Sequence, residues 1–138
     1  AMWKILQQKK PDDYVIASGE QHSVRDFIKW TANALGIEIE FKGSGVKEIG
    51  IVTGISGKLA PKITVGQEIM KIDPRYFRPA EVETLKGDPS RAKSELGWEP
   101  QITLKQMCSE MVLKDLEDAK RDALLISHGH KIRETKED

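Results

Sequence analysis

One short apolar run limits the possible folds of this chain more than any other feature. Tyr14-Val15-Ile16-Ala17 is continuously apolar, and turn-forming residues flank it at Asp12-Asp13 and Ser18-Gly19. A strand with this pattern is buried on both faces, as in a parallel sheet. The chain offers few other strands of that kind. The sequence therefore predicts an α/β fold of short strands and helices, in which a strand at about 13–18 belongs to a parallel sheet formed with residues outside this chain.

The rest of the first half of the chain predicts two helices and one strand. Residues 1–10 have the apolar spacing of a helix, but no capping residue precedes them. Ser23 and Asp26 are spaced almost as a capping box at the start of a second helix, and Gly36 ends that helix. Residues 37–42 alternate between apolar and charged side chains, which indicates a half-exposed strand.

Residues 43–67 contain six glycines and raise the question of a phosphate-binding loop. A P-loop needs Gly-x4-Gly-Lys-Ser/Thr. The candidate pair Gly57-Lys58 has Val52 in place of the first glycine and Leu59 in place of the hydroxyl residue. Gly43-x-Gly45 has Glu48 where a dinucleotide fingerprint needs its third glycine. The segment is therefore predicted to form turns around Pro61. Short strands are expected at 49–53 and 68–72.

The C-terminal third predicts two more helices. Asp88 and Pro89 begin the first of them, and Gly97 ends it. A capping box at Thr103 begins the second helix, which has an apolar inner side and ends near Leu125. Residues 130–138 are highly charged and predict a loose tail.

Composition excludes several functional classes. The 138 residues carry 22 basic and 22 acidic side chains, so no basic excess indicates nucleic acid or an anionic membrane. No apolar run approaches the roughly 20 residues of a membrane span. The single cysteine, Cys108, excludes an internal disulfide and suits a packing role in a reducing compartment, so we expect a cytoplasmic protein. His128 and His130 make an incomplete ligand set, and no metal is predicted.

The segment 73–83 is the densest polar stretch beside an apolar strand. Pro79 disfavours helical backbone at Arg78 and suits the first position of a short helix that Gly87 ends. Glu81 follows three residues after Arg78, so a guanidinium for phosphate and a carboxylate for sugar hydroxyls can reach one ligand. The alternative is an exposed Arg–Glu pair that caps a short helix and contributes little. Read from the residues alone, the segment supports a nucleotide or phosphate contact at Arg78.

Three motifs in a fixed order resemble a known family. They resemble the C-terminal signature of the extended short-chain dehydrogenase/reductases, the NAD(P)-dependent nucleotide-sugar epimerases and dehydratases. The motifs are RPAEV at 78–82, GDPSRAK at 87–93 and LGWEP at 96–100. Three further runs are similar to the GDP-mannose 4,6-dehydratases within that family: DPRYFRPAEVETL at 73–85, YVIASG followed by HSVR at 14–25, and LLISHG at 124–129.

The resemblance implies that the chain is the C-terminal, substrate-binding part of a nucleotide-sugar dehydratase. In that family an N-terminal Rossmann domain carries the glycine fingerprint, the NADP site and the catalytic Thr, Glu, Tyr and Lys. This sequence has no Gly-x-x-Gly-x-x-Gly after a strand and no Tyr-x-x-x-Lys, so no catalytic or cofactor-binding residue is expected in it. By similarity, Arg78 contacts the pyrophosphate of GDP-mannose and Glu81 its ribose or guanine. Ser23 and Arg25 are expected near the mouth of the same cleft.

The resemblance also implies the reaction of the whole enzyme, a lyase of GDP-fucose biosynthesis that makes GDP-4-keto-6-deoxymannose from GDP-mannose. NADP accepts hydride from the mannose C4 carbon, water is eliminated across C5 and C6, and the hydride returns to C6. A homo-oligomer, dimer or tetramer, is expected. The second hypothesis is a non-catalytic nucleotide-sugar-binding or interaction module, because the chain itself contains no catalytic group.

Overall fold

Helices and a small antiparallel sheet make up the part of the chain that the computed structural model describes, residues 1–78 and 85–131. The α/β mixture predicted from the sequence is confirmed at this level. In chain order the elements are α1 (Met2–Leu6), α2 (Val24–Ala34), β1 (Ile37–Lys42), a 3-10 turn (Gly45–Lys47), β2 (Ile49–Ile55), β3 (Glu68–Lys71), α3 (Ser90–Leu96) and α4 (Leu104–Ser127).

The three strands form one sheet in the order β1-β2-β3, and both strand pairs are antiparallel. Along β1 burial alternates, from buried Ile37 to exposed Glu38, because successive side chains point to opposite faces of the sheet. The central strand β2 carries Val52, which is almost fully buried. The strands predicted at 37–42, 49–53 and 68–72 are confirmed, and their ends differ from the prediction by at most two residues.

The connection from α2 to β1 turns on Gly36. This glycine has φ of +75°, in the left-handed region that residues with a side chain rarely adopt. The Ser56 backbone N–H, just after β2, donates to the Gly36 carbonyl at 2.7 Å, so the two backbones lie in direct contact. A Cβ atom on Gly36 would lie 2.0 Å from the Ser56 carbonyl oxygen. Only glycine fits both the conformation and the space.

The core lies where α2 packs on the sheet and on α4. Ala32, Ile37 and Val52 are its buried centre on the sheet side. The partly buried residues around this centre are Leu35, Ile39, Ala60 and Ile63. On the other side of α2, Cys108 of α4 is fully buried and its Sγ lies 3.2 Å from Thr31 Oγ1. The packing role predicted for Cys108 is confirmed.

The strand expected at about 13–18 is not formed in this structure. Residues 11–19 are irregular, and Val15 and Ile16 are exposed rather than buried on two faces. A strand needs a hydrogen-bonding neighbour, and the strands of the described chain pair only with one another. The segment lies instead against Gly87, where a Cβ would come within 2.7 Å of Ala17 Cβ. Membership of a parallel sheet therefore stays a prediction about residues outside this chain.

The terminal helices differ in how well the sequence predicts them. The helix expected over residues 1–10 ends at Leu6, because no side chain caps it and none of its residues is buried. The capping box of α4 is present, with Thr103 and Gln106 each bonding the other's backbone, and this helix runs to Ser127. No helix within residues 1–78 and 85–131 combines the length and apolarity that crossing a bilayer requires.

Helix α3 begins one residue later than predicted. Asp88 Oδ1 accepts from the Ser90 backbone N–H at 2.9 Å, so Asp88 does satisfy a donor at the start of the helix. The helix ends at Gly97, which has the left-handed φ of +58° that a glycine terminus allows. Lys4 of α1 donates to the carbonyls of Leu96 and Gly97, where a cation suits the helix C-terminus.

Candidate functional site

The N-terminus of α2 positions two of the predicted site residues, Ser23 and Arg25. Ser23 is the N-cap: its hydroxyl accepts from the Asp26 N–H at 3.1 Å and donates to Asp26 Oδ2 at 2.7 Å. The Ser23 hydroxyl and backbone N–H both donate to the Asp26 carboxylate, and these two bonds lower the pKa of Asp26 because they favour its ionised form. The only hydroxyl proton of Ser23 is thereby committed to the helix cap. Any contact of Ser23 with a ligand would use the remaining lone pair as an acceptor.

Arg25, two residues further on, is held by a carboxylate that the sequence did not single out. Its Nε and Nη2 donate to the two oxygens of Glu48 at 2.5 and 2.7 Å. The Glu48 side chain is only 7% exposed, whereas that of Arg25 is 59% exposed. The hydrogen bonds from Arg25 lower the pKa of Glu48 and the same bonds raise that of Arg25. Both groups are therefore charged at neutral pH.

Glu48 joins Arg25 to the segment that carries Arg78. The Glu48 backbone N–H donates to the Gly45 carbonyl at 3.1 Å and closes the 3-10 turn before β2. The Phe77 ring approaches the same turn, with its Cζ atom 3.7 Å from where a Cβ on Gly45 would lie. The structure therefore brings the predicted site residue Arg25 and Phe77, the residue before Arg78, to one turn although they are far apart in sequence.

The remaining predicted residue, Glu81, lies outside the described residues, as does the short helix expected after Pro79. The Arg78–Glu81 pair is therefore untested and stays a prediction. Just before it, residues 74–76 form a turn in which Asp73 accepts from Arg75 through Nε at 3.0 Å and Nη2 at 2.6 Å. This pair lowers the pKa of Asp73. Arg75 also lies over the Tyr76 ring, at 5.4 Å from its centroid.

A second polar cluster, which sequence reasoning missed, ties residues 12–14 to α3. Arg91 donates to Asp12 and to Glu95, and its guanidinium carbon lies 5.0 Å from the centre of the Tyr14 ring. The Tyr14 hydroxyl donates to Glu95 at 3.0 Å. Hydrogen bonds from Arg91 lower the pKa of Asp12 and Glu95. Glu95 follows Arg91 by four residues on the same helix, a spacing that is visible in the sequence. Asp12 lies 79 residues from Arg91, and no spacing rule reaches it.

An open cleft of about 410 Å³ lies between Gly19 and the segment that precedes α3. Gly19, Asp88 and Pro89 contribute to its wall, together with Lys86 and Gly87. Nearby, His22 contacts Trp30 edge-on, with ring centroids 5.0 Å apart, and its Nε2 lies 3.3 Å from Glu20. In the part of the chain that the structure describes, no group of acidic, histidine or cysteine side chains could hold a metal ion.

Comparison with known proteins identifies the family. A family model described as GDP-mannose 4,6 dehydratase matches residues 1–111. The chain belongs to the GDP-mannose 4,6-dehydratase family. It is 58% identical over 130 residues to a GDP-mannose 4,6-dehydratase of Vibrio cholerae, covering 94% of this chain and 35% of that protein. The resemblance drawn from the motifs is therefore confirmed.

The same family name recurs in distant organisms. A GDP-mannose 4,6-dehydratase of Yersinia enterocolitica is 53% identical over 135 residues, which is 98% of this chain and 36% of that protein. The GDP-mannose 4,6 dehydratase 2 of Caenorhabditis elegans is 44% identical over 116 residues, or 84% of this chain and 28% of the relative. The chain thus spans about a third of the length of the curated relatives it matches.

The described residues of this family member do not fit a dinucleotide cofactor. Such a site needs a parallel strand, a glycine turn and a helix N-terminus on which the pyrophosphate rests. Here the sheet is antiparallel throughout, and the glycine turn after β1 leads only to the three-residue 3-10 turn Gly45–Lys47. No step of the reaction is therefore assigned to a cofactor bound by these residues.

Proposed function

We propose that this chain is the C-terminal, nucleotide-sugar-binding portion of a GDP-mannose 4,6-dehydratase. The observation that carries the proposal is that Arg25 and Phe77, the residue before Arg78, both contact the turn at Gly45–Glu48. Guanidinium groups bind phosphate oxygens with paired, charge-assisted hydrogen bonds, and a nucleoside diphosphate sugar presents two phosphates. Family membership supplies the substrate class, GDP-mannose.

In this proposal the chain binds and orients the substrate, and the chemistry belongs to residues outside it. Arg78 binds the pyrophosphate, Glu81 the ribose or guanine, and Ser23 and Arg25 border the cleft. The whole enzyme is a lyase that forms GDP-4-keto-6-deoxymannose, works in the cytoplasm as a homo-oligomer, and binds NADP through an N-terminal Rossmann domain. NADP bound to that domain would act as the hydride carrier of the reaction. The residues at 13–18 then join the parallel sheet of that domain. The tail predicted from the sequence at 130–138 lies, from residue 132 on, outside the described residues.

A chimeric protein tests this function. The first two thirds of the Vibrio cholerae relative are joined to this chain, which replaces the segment to which it is 58% identical. With NADP and GDP-mannose, the chimera is expected to form the 4-keto-6-deoxy product, whereas the 138-residue chain alone is expected to form none. Arg78→Ala in the chimera should raise KM for GDP-mannose because a charge-assisted phosphate contact is lost.

The matched control is Arg121→Ala, which removes an arginine of α4 that pairs only with Asp118 and Asp122 among the described residues. It should leave KM unchanged. A folded chimera without turnover would contradict the dehydratase assignment. If a folded chimera without turnover still bound GDP-mannose, the second hypothesis of a non-catalytic binding module would be favoured. An unchanged KM in Arg78→Ala would remove the role given to Arg78.

A further inference from the structure

The carboxylate of Glu48 is unusual among the charged groups of this chain. Among the described residues it is the only charged side chain that is buried. Burying a carboxylate is costly unless a cation and hydrogen bonds compensate it, and Arg25 provides both. Exposed ion pairs occur elsewhere on the surface, for example between Arg75 and Asp73, without a buried member. The pair of Arg25 and Glu48 therefore has one partner inside the fold, unlike the exposed ion pairs.

The geometry of the pair determines which part of Arg25 stays available. A guanidinium group has two edges that can each grip an anion with two parallel N–H bonds, the side edge of Nε and Nη2 and the end edge of Nη1 and Nη2. Glu48 occupies the side edge. Within residues 1–78 and 85–131, no acceptor engages Nη1, and the Arg25 side chain is more than half exposed. Among the described residues the end edge is thus left for a ligand, and the two bonds to Glu48 fix the guanidinium plane.

Glu48 also sets where that edge points relative to the Phe77–Arg78 segment. Its backbone closes the turn against which Phe77 packs, while its side chain holds Arg25. An arginine side chain loses considerable rotamer freedom when it is fixed. Because Glu48 removes that freedom before any ligand arrives, Arg25 can contact a phosphate without a further ordering cost.

We propose that Glu48 is a positioning residue, which holds Arg25 so that the end edge of its guanidinium contacts the diphosphate of the nucleotide sugar. Glu48 touches no substrate itself and acts through Arg25. This inference rests on the proposed function and adds to it the residue that orients one side of the binding cleft. In the sequence, Glu48 is notable only because it stands where a dinucleotide fingerprint would have its third glycine. The proposal gives this residue a role in binding.

A double-mutant cycle on the 138-residue protein tests this role. GDP-mannose is titrated into the isotope-labelled protein at up to millimolar concentration, and the dissociation constant is read from backbone amide shifts. Glu48→Gln keeps the size of the side chain but loses its charge and one of the two oxygens that accept from Arg25. It should weaken GDP-mannose binding about tenfold, the effect of one charge-assisted hydrogen bond. In an Arg25→Ala background the same change should have no further effect, since Glu48 acts only through Arg25.

Controls separate positioning from loss of stability. Asp118→Asn removes an exposed carboxylate of α4 and should leave binding unchanged. Thr103→Ala loosens the cap of α4 and should lower the unfolding temperature without changing the dissociation constant. If Glu48→Gln does not fold, Arg25→Lys serves instead: it keeps the charge but cannot offer two edges, and should weaken binding by a similar factor.

Each outcome decides the matter. Equal weakening by Glu48→Gln in both backgrounds, or no weakening by Glu48→Gln or by Arg25→Ala, would overturn the positioning role. If Arg78→Ala weakens binding while the Glu48 change does not, only this inference fails and the proposed function stands. If the unmodified chain shows no GDP-mannose binding, the proposed substrate-binding role fails, and the role of Glu48 fails with it.

Discussion

Replacing Gly36 by alanine offers the sharpest test of how this fold is held together. A residue with a side chain at φ of +75° costs about 1–2 kcal/mol relative to glycine. The new Cβ would also lie 2.0 Å from the Ser56 carbonyl oxygen, so the end of β2 must move away. That movement stretches the 2.7 Å hydrogen bond between the Ser56 N–H and the Gly36 carbonyl, a loss of about 1 kcal/mol. The free energy of unfolding should fall by about 2–3 kcal/mol in total.

Gly57 provides a matched control only two residues after β2 ends. It has the same φ of +75°, but no atom lies within 4 Å of where its Cβ would be. Gly57→Ala should therefore show the conformational cost alone, about 1–2 kcal/mol. The difference between the two variants isolates the collision with the Ser56 backbone.

Urea unfolding followed by far-UV circular dichroism measures both effects. The midpoint should fall further for Gly36→Ala than for Gly57→Ala, while the slope of free energy against urea stays the same. Equal shifts of the two midpoints would refute the argument, because they would mean that Ser56 yields without cost. A stable Gly36→Ala protein would show that the connection from α2 to β1 does not need a left-handed residue.

Two further predictions concern the core and the response to acid. Val52→Ala should lower the free energy of unfolding by about 2 kcal/mol because this side chain is 1% exposed, whereas Val65→Ala, at 63% exposure, should change the urea midpoint little; equal effects would place Val52 outside the core. The second prediction follows from lowered carboxylate pKa values. These carboxylates stabilise the folded state above their ordinary pKa values of 3.8 for Asp and 4.5 for Glu, and that stabilisation is lost as pH falls through the lower folded-state values. The thermal midpoint should stay level from about pH 7 to 5 and fall below about pH 4.5, and a midpoint that rises on acidification would contradict the assigned ion pairs. The carboxylates concerned are Asp12, Asp26, Glu48, Asp73, Asp88 and Glu95.

Local signals predicted most of the secondary structure correctly. The capping boxes at Ser23 and Thr103 mark the starts of α2 and α4, because each is a set of hydrogen bonds within four consecutive residues. The alternation at 37–42 marks β1, since a strand with one buried face must alternate. At 13–18 the strand is not formed within this chain, because an apolar run implies burial but cannot supply the neighbouring strand, and its place in a sheet with residues outside the chain stays a prediction.

The candidate site was predicted only in part. Arg78 and Glu81 came from a motif, and Arg25 from a resemblance that gave no reason for its position. Glu48 was missed because its importance depends on burial and on a partner 23 residues away, neither of which has a local signature. The contact of Phe77 with the turn at Gly45 could not be predicted for the same reason, since it joins residues that are distant in sequence.

The sequence by itself determined the family of this protein and the positions of its helices and strands. Motifs and caps are short-range patterns, and a chain of 138 residues displays them whether or not it is folded. Only the tertiary structure decided which distant charges meet: Arg25 with Glu48, and Arg91 with Asp12. Such pairs form where the packing of helices on the sheet brings distant residues within hydrogen-bond range, and that distance is a property of the fold rather than of the spacing along the chain.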